Sequence, residues 1–290
     1  MVVYPYVVSL REGLEAALII AILIGYLARI KRPDLNKYVW WGVGGAIALS
    51  LGLGAGIWMI YGELGELGEK IFEAGAAGTA VIVLTYMIFW MAKNAKKIKG
   101  DLEEKIDVSI SEKWLLRIAF LAFIAVFREG LETVLFLTAS AFSNPIGTLI
   151  GAAGGFATVI VIGIFLLRGS KRLPIRKFFS VTSVLLLIFA AGILSYGVHE
   201  GIEAVEEMGH EVSWLGGEAY NLTPAAGSVF HPDEAVGSVI QGLIGKVYLS
   251  PEWLTLFAYL IYWAIVGTYL LKVYAPTRYN GVVEKIFRKG

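Results

Sequence analysis

Five stretches of the chain contain no charged residue: Tyr38 to Tyr61, Ala74 to Ala92, Pro145 to Leu167, Phe178 to Val198 and Trp253 to Leu271. Each is long enough to cross a hydrocarbon core of about 30 Å as an α-helix. Two further apolar stretches, about Val7 to Ile30 and Ile118 to Phe142, have the right length but are each interrupted by the same five residues, REGLE, at 11–15 and 128–132. Counting them predicts an all-α polytopic membrane protein with seven transmembrane helices. The first stretch is not expected to be a signal peptide, because its charges lie inside the apolar run and no small-residue cleavage site follows. Ala235 to Ser250 is apolar but too short to span, which predicts an external or re-entrant element. The loop from Lys93 to Lys113, with DLEEKID in its middle, mixes both charge signs and predicts an amphipathic or solvated helix without chemistry of its own.

Composition agrees with lipid as the solvent. The 290 residues are 57% hydrophobic and 17% charged, and a mean hydropathy of +0.69 exceeds what a soluble domain with a polar surface carries. The formal net charge of +1 carries no message, and no nucleic-acid partner is expected. The absence of cysteine removes disulfides, thiolate metal sites and thiol catalysis together, so any bound ion meets oxygen and nitrogen ligands.

The placement of charge is more informative than its sum. Outside the two REGLE copies, Lys and Arg gather in the 29–37, 93–117 and 168–177 loops and after the last span, leaving only Lys70 and Lys246 in the loops opposite. Because basic residues accumulate on the cytoplasmic side, the N-terminus is expected outside and the C-terminus inside, in the cell membrane.

The REGLE copies are 117 residues apart, and each opens a trio of spans, with GVGGA at 42–46 in the second span echoed by GAAGG at 151–155 in the fifth. This reads as a 3 + 3 inverted repeat plus one span: residues 1–92, then 113–200, a seventh span at 251–273 and a cytoplasmic tail at 274–290, all within one transmembrane domain. Between the second repeat and the last span lies an extracellular acidic and histidine-bearing region, 201–250. Transporters with inverted repeats place their substrate near the midplane, where the repeats meet. The glycine clusters of spans two and five are read as surfaces for close helix approach.

Charged side chains at membrane depth are costly and demand compensation. Glu12 and Glu15 are three residues apart and share a helix face, and Glu129 with Glu132 repeats that geometry. Arg11 stands four residues before Glu15, and Arg128 four before Glu132, so each arginine can pair through the next turn. Four carboxylates and two arginines leave a net charge of −2 when all are ionised, which calls for a cation, and oxygen ligands favour a hard ion such as Fe³⁺, Mn²⁺, Mg²⁺ or Ca²⁺. Permeation also requires release, so metal and proton are expected to compete for these carboxylates. The bland alternative is a pair of internal salt bridges that only hold two helices together.

Two further groups bear acid or imidazole on the outer side. GELGELGEKIFEAG predicts an acidic helical stripe of Glu63, Glu66, Glu69 and Glu73, with Glu73 entering the membrane as a metal-attracting position. In YGVHEGIEAVEEMGHEV, His199, Glu203, Glu206 and His210 recur at helical spacing and predict one metal-capture face, beside the reading of a merely solvated helix.

REGLEAALI at 11–19 and REGLETVLF at 128–136 resemble the paired Arg-Glu-Xaa-Xaa-Glu signatures of the oxidase-dependent iron permeases, a family that includes the fungal high-affinity iron permease and the bacterial permease of the elemental-type ferrous iron uptake system. FEAG at 72–75 and YGVHE at 196–200 extend the likeness over most of the chain. The resemblance implies an iron permease, not an enzyme, with Arg11, Glu12, Glu15, Arg128, Glu129 and Glu132 as the translocation motif and Glu73 as a further acidic position. Iron is then the transported substrate and no resident cofactor is expected. Fungal members work with a multicopper ferroxidase and bacterial ones with periplasmic partners, which implies an extracellular ferroxidase or iron-delivery protein here. Open beside this reading are a transporter of another divalent metal such as manganese or lead, a passive channel, and a membrane-embedded carboxylate metalloenzyme. The last normally adds a Glu-Xaa-Xaa-His within the bundle, and here only His199 touches a predicted span.

Overall fold

The computed structural model describes residues 2–94, 98–111, 116–167, 175–225, 227–232 and 234–274. Parts of the basic 168–177 loop and nearly all of the 274–290 tail therefore lie outside the described residues. The chain divides into two compact units, Met1–Leu187 and Ile188–Gly290.

The first unit holds α1 (Val3–Arg29), α2 (Asn36–Tyr61), α3 (Glu66–Asn94), α4 (Ile98–Ser111), α5 (Leu116–Ala141), α6 (Pro145–Leu167) and the start of α7 (Ile175–Glu207). The second holds the rest of α7, then α8 (Ala235–Ile244) and α9 (Trp253–Tyr274), joined by short 3-10 turns. No extended strand occurs among the described residues, only an isolated antiparallel bridge between Glu218 and Glu252.

Five helical segments are long and apolar enough to cross a membrane: Pro33–Tyr61, Glu66–Met91, Pro145–Ile164, Phe179–Glu207 and Trp253–Leu270. They coincide with the five uncharged runs. At 27 and 26 residues, α1 and α5 have the length to span as well, and they are the two helices that carry REGLE.

Helix ends follow local chemistry. After α1, the Lys31 N–H donates to the Ala28 carbonyl (3.1 Å) and the Arg32 N–H to that of Leu27 (2.8 Å), with Lys31 at a φ of 60°. This double closure satisfies carbonyls the helix leaves open, and Pro33 prevents its continuation. The Ala235 to Ser250 run forms the short α8 and a 3-10 turn, as its length requires.

Within the first unit, α1 packs most extensively on α6, and α2 on α5. Two of the close approaches rest on Gly151 of α6 and Gly42 of α2, where a Cβ would strike the backbone of α1 and α5 respectively. α1 and α5 cross antiparallel: Tyr4, at the start of α1, donates its hydroxyl to the Phe136 carbonyl late in α5 (3.4 Å). At the other end, Leu23 and Leu27 share a core with Ile118 and Ala122 from the start of α5. Leu102 and Ile106 of α4 enter that same core, so the DLEEKID helix is amphipathic and docks its apolar face there.

Candidate metal-binding site

Where α1 and α5 cross, both REGLE segments come together. One carboxylate oxygen from each of Glu12, Glu15 and Glu129 lies within 4.8 Å of the others, and all three side chains are buried. Among the described residues this is the group of His, Asp and Glu side chains close enough to share an ion. Glu132, the fourth glutamate anticipated from the motif, stands next to this group without joining it. Its side chain is 13% exposed and 3.4 Å from Arg128 Nε.

The arginines do more than the four-residue spacing anticipates. Arg11 Nη2 reaches Glu15 Oε1 at 2.9 Å, as expected, but Nη1 also donates to the adjacent Glu12 Oε1 at 2.7 Å. Arg128 repeats the arrangement with Glu132 and with the adjacent Glu129, whose Oε1 lies 2.9 Å from Nη2. Each guanidinium thus forks across two glutamates of its own helix. Even so, Glu12 Oε2, Glu129 Oε2 and Glu132 Oε2 are buried without a hydrogen-bond partner, as is the Ser50 hydroxyl. Buried acceptors left open are rare, and Glu12, Glu15 and Glu129 together could hold a metal ion through such oxygens.

Glu12 and Glu129 face a cavity of about 800 Å³ lined by α1, α2, α5 and α6. Its walls are apolar along most of their length, with Trp40 and Trp58 near opposite ends of α2 and Ser50 between them. Its polar lining consists of Glu12, Ser50 and Glu129 with Thr133, Thr138 and Thr148. Ser50 escaped notice in the sequence because a single hydroxyl in an apolar run carries no pattern.

α3 supplies residues the sequence gave no reason to choose. Met87 Sδ lies 2.8 Å from Arg11 Nη2, and the Trp90 ring lies under Arg128, 5.3 Å from Cζ to centroid.

The acidic stripe before α3 is shorter than its spacing suggests. Glu63 sits in the turn that follows α2, and the helix begins only at Glu66, because the Gly62–Gly65 segment turns the chain. Glu73 is buried and accepts a hydrogen bond from the Tyr61 hydroxyl (2.5 Å), beside a ring cluster of Tyr61, Phe72 and Phe142. It is not in the group at the REGLE crossing.

In the second unit, the anticipated histidine face is divided. His199 and Glu203 meet, Nε2 to Oε1 at 3.0 Å, but α7 stops at Glu207 and Gly209 takes a left-handed φ of 79°. That turn carries His210 off the helix and away from the periodicity that links His199, Glu203 and Glu206. The other nitrogen of His199, Nδ1, meets Glu252 Oε1 at 2.8 Å, and Thr255 donates to Glu252 Oε2 at 2.7 Å. Burial pushes the Glu252 carboxyl up, but the His199 and Thr255 hydrogen bonds outweigh it and bring it down to about 2. Glu252 is 53 residues from His199, so no local spacing could have paired them.

The model of the FTR1 iron permease family matches residues 2–275. The chain belongs to that family. A protein of Archaeoglobus fulgidus described as uncharacterized is 39% identical over 258 residues, covering 89% of this chain and 90% of that one. The ferrous iron permease EfeU of Escherichia coli is 40% identical over 206 residues, 69% of this chain and 74% of EfeU. EfeU of Yersinia pestis is 36% identical over 249 residues, 83% of each. No solved structure matches. The family expected from the two REGLE copies is thus the one that residues 2–275 match, and the copies are what its helices bring face to face.

Proposed function

We propose that this chain is an iron permease of the cell membrane, and that iron ions cross it through a site built by the two REGLE motifs where α1 and α5 meet. The observation that carries this reading is the convergence of three buried carboxylates, from two antiparallel helices, beside oxygens that no protein donor satisfies. A charged cluster at this depth is costly unless it serves a pathway, and a cation resolves both the excess negative charge and the open lone pairs. The relatives named EfeU are ferrous iron permeases, and iron is carried over to this chain from them.

The reading includes α1 and α5 as spans, which makes seven, with the N-terminus outside and REGLE near the midplane. Antiparallel packing of α1 and α5 is what an inverted repeat requires. An outer ferroxidase or iron-delivery protein would act on the same side as α8 and the 201–250 segment.

Iron uptake by Glu15→Gln and Glu129→Gln variants in reconstituted vesicles tests the assignment. Loss of one carboxylate ligand is expected to cut uptake about 10- to 100-fold, while Arg29→Gln, which alters the exposed pair with Glu103 and the contact with the Tyr26 ring away from the REGLE group, transports like the parent. Motif variants as active as the parent overturn the site.

A further inference from the structure

The two arginines of the repeated motif are held in different ways. Arg11 is 1% exposed and fixed at three points, by Glu12, Glu15 and the Met87 sulfur. Arg128 is 44% exposed, and beyond its own two glutamates it touches the face of Trp90. Both Met87 and Trp90 come from α3, three residues apart and hence on one side of that helix. One helix therefore grips one arginine and offers the other an aromatic surface.

A metal at the carboxylate group needs oxygen lone pairs, and Glu129 is both a member of that group and the ion-pair partner of Arg128, whose Nη2 lies 2.9 Å from its Oε1. Two cations cannot share Glu129 without repulsion, so one of them has to yield. Arg11 is buried with both terminal nitrogens engaged, Nη1 by Glu12 and Nη2 by Glu15 and Met87, and its withdrawal would leave Glu12 and Glu15 without that counter-charge. Arg128 has open space and a second favourable surface, since a guanidinium over an indole face is attracted by the ring quadrupole and stacks on it.

We propose that Arg128 is the counter-ion that withdraws from Glu129 when the metal binds, and that Trp90 is a positioning residue which holds the guanidinium on its indole face while the carboxylates are occupied. This rests on the permease reading above and adds to it an order of events: Arg11 remains a fixed part of the site, and Arg128 exchanges with the substrate.

The test is the concentration dependence of ferrous iron uptake in proteoliposomes containing the parent, Trp90→Phe or Trp90→Leu. Without the ring, Arg128 competes harder with the metal, so Trp90→Leu raises KM by about three- to tenfold with a maximal rate close to that of the parent, and Trp90→Phe falls between the two. Equal KM values in all three overturn the proposal. So does a lowered maximal rate at unchanged KM, which is the mark of lost packing. Should Trp90→Leu fail to accumulate folded, the order of KM between the parent and Trp90→Phe decides by itself, and equality again overturns it. Parallel uptake by Glu129→Gln separates the two levels. If that variant carries iron like the parent, the site reading fails, whereas an inactive Glu129→Gln beside an unaltered KM in the Trp90 variants removes only the role given to Arg128 and Trp90.

Discussion

Gly42 meets α5 through the same positions by which Gly151 meets α1. A Cβ on Gly42 would stand 2.8 Å from Phe123 N and 2.9 Å from Ala122 Cβ, and one on Gly151 would stand 3.0 Å from Tyr6 N and 2.9 Å from Pro5 Cβ. Phe123 lies 117 residues after Tyr6, and Ala122 lies 117 after Pro5, which is the spacing of the two REGLE copies. The match continues along the helices, since Gly45 and Gly154 each place that Cβ 3.4 Å from a ring carbon, of Phe123 and of Tyr6. One helix–helix interface is used twice, and the REGLE segments sit where the two uses cross.

Because backbone atoms stand opposite both glycines, neither site can relax by turning a side chain aside. Gly42→Val and Gly151→Val are each expected to destabilise the folded protein by about 1–3 kcal/mol or more, and by similar amounts. Gly44, with nothing within 4 Å of a Cβ, tolerates Ala without loss. Thermal unfolding of the three variants in detergent measures this, and a Gly42 variant as stable as the Gly44 variant contradicts the twofold use of one interface.

What could be read from the sequence divides along physical lines. Apolar runs report lipid directly, so the five uncharged helices appear where expected, and REGLE announces its chemistry because buried charge needs a reason. Spacing of three and four reports a shared face only while the helix continues, which is why Glu203 joins His199 but His210, beyond the left-handed Gly209, departs. Partners set by packing between helices leave no periodic trace. Met87 and Trp90 read as ordinary members of an apolar span, and Glu252 as one acid before another.

Arg11 and Arg128 should differ in what their removal costs. Arg11→Met would strand two buried carboxylates, and breaking a buried pair by removing one partner costs about 3–5 kcal/mol. Arg128 is far more open and its removal strands one buried carboxylate, Glu129, beside the partly exposed Glu132, so its replacement by Met is expected to cost less than that of Arg11 in the same unfolding measurement. Equal losses would show that exposure does not separate the two.

Tyr61 ties Glu73 in the N-terminal part of α3. Tyr61→Phe keeps the ring cluster with Phe72 and Phe142 and deletes only the hydroxyl, so about 1–2 kcal/mol of stability is expected to disappear. Glu73→Gln keeps an acceptor for that hydroxyl and is expected to cost less. The ordering of the two melting temperatures checks the assignment, and a reversed order would place the stabilisation in the carboxylate charge rather than in the Tyr61 bond.

The Glu252 carboxyl gives the second unit a pH dependence whose sign follows from its direction of shift. Its folded-state value lies at about 2, below the ordinary 4.5, so the folded state favours the ionised form. The stabilisation is therefore complete above about pH 5 and is lost as pH falls from the ordinary value toward the folded one. Glu252→Gln removes the charge but leaves an oxygen for the Thr255 hydroxyl, so what it abolishes is the contact of the carboxylate with His199. Unfolding of parent and variant in detergent between pH 3 and 7 should show the parent more stable at neutral pH, with the difference narrowing steadily below about pH 5. A gap that stays constant down to the acid end would mean that Glu252 stabilises the segment before α9 through its backbone bridge with Glu218, and not through its charge.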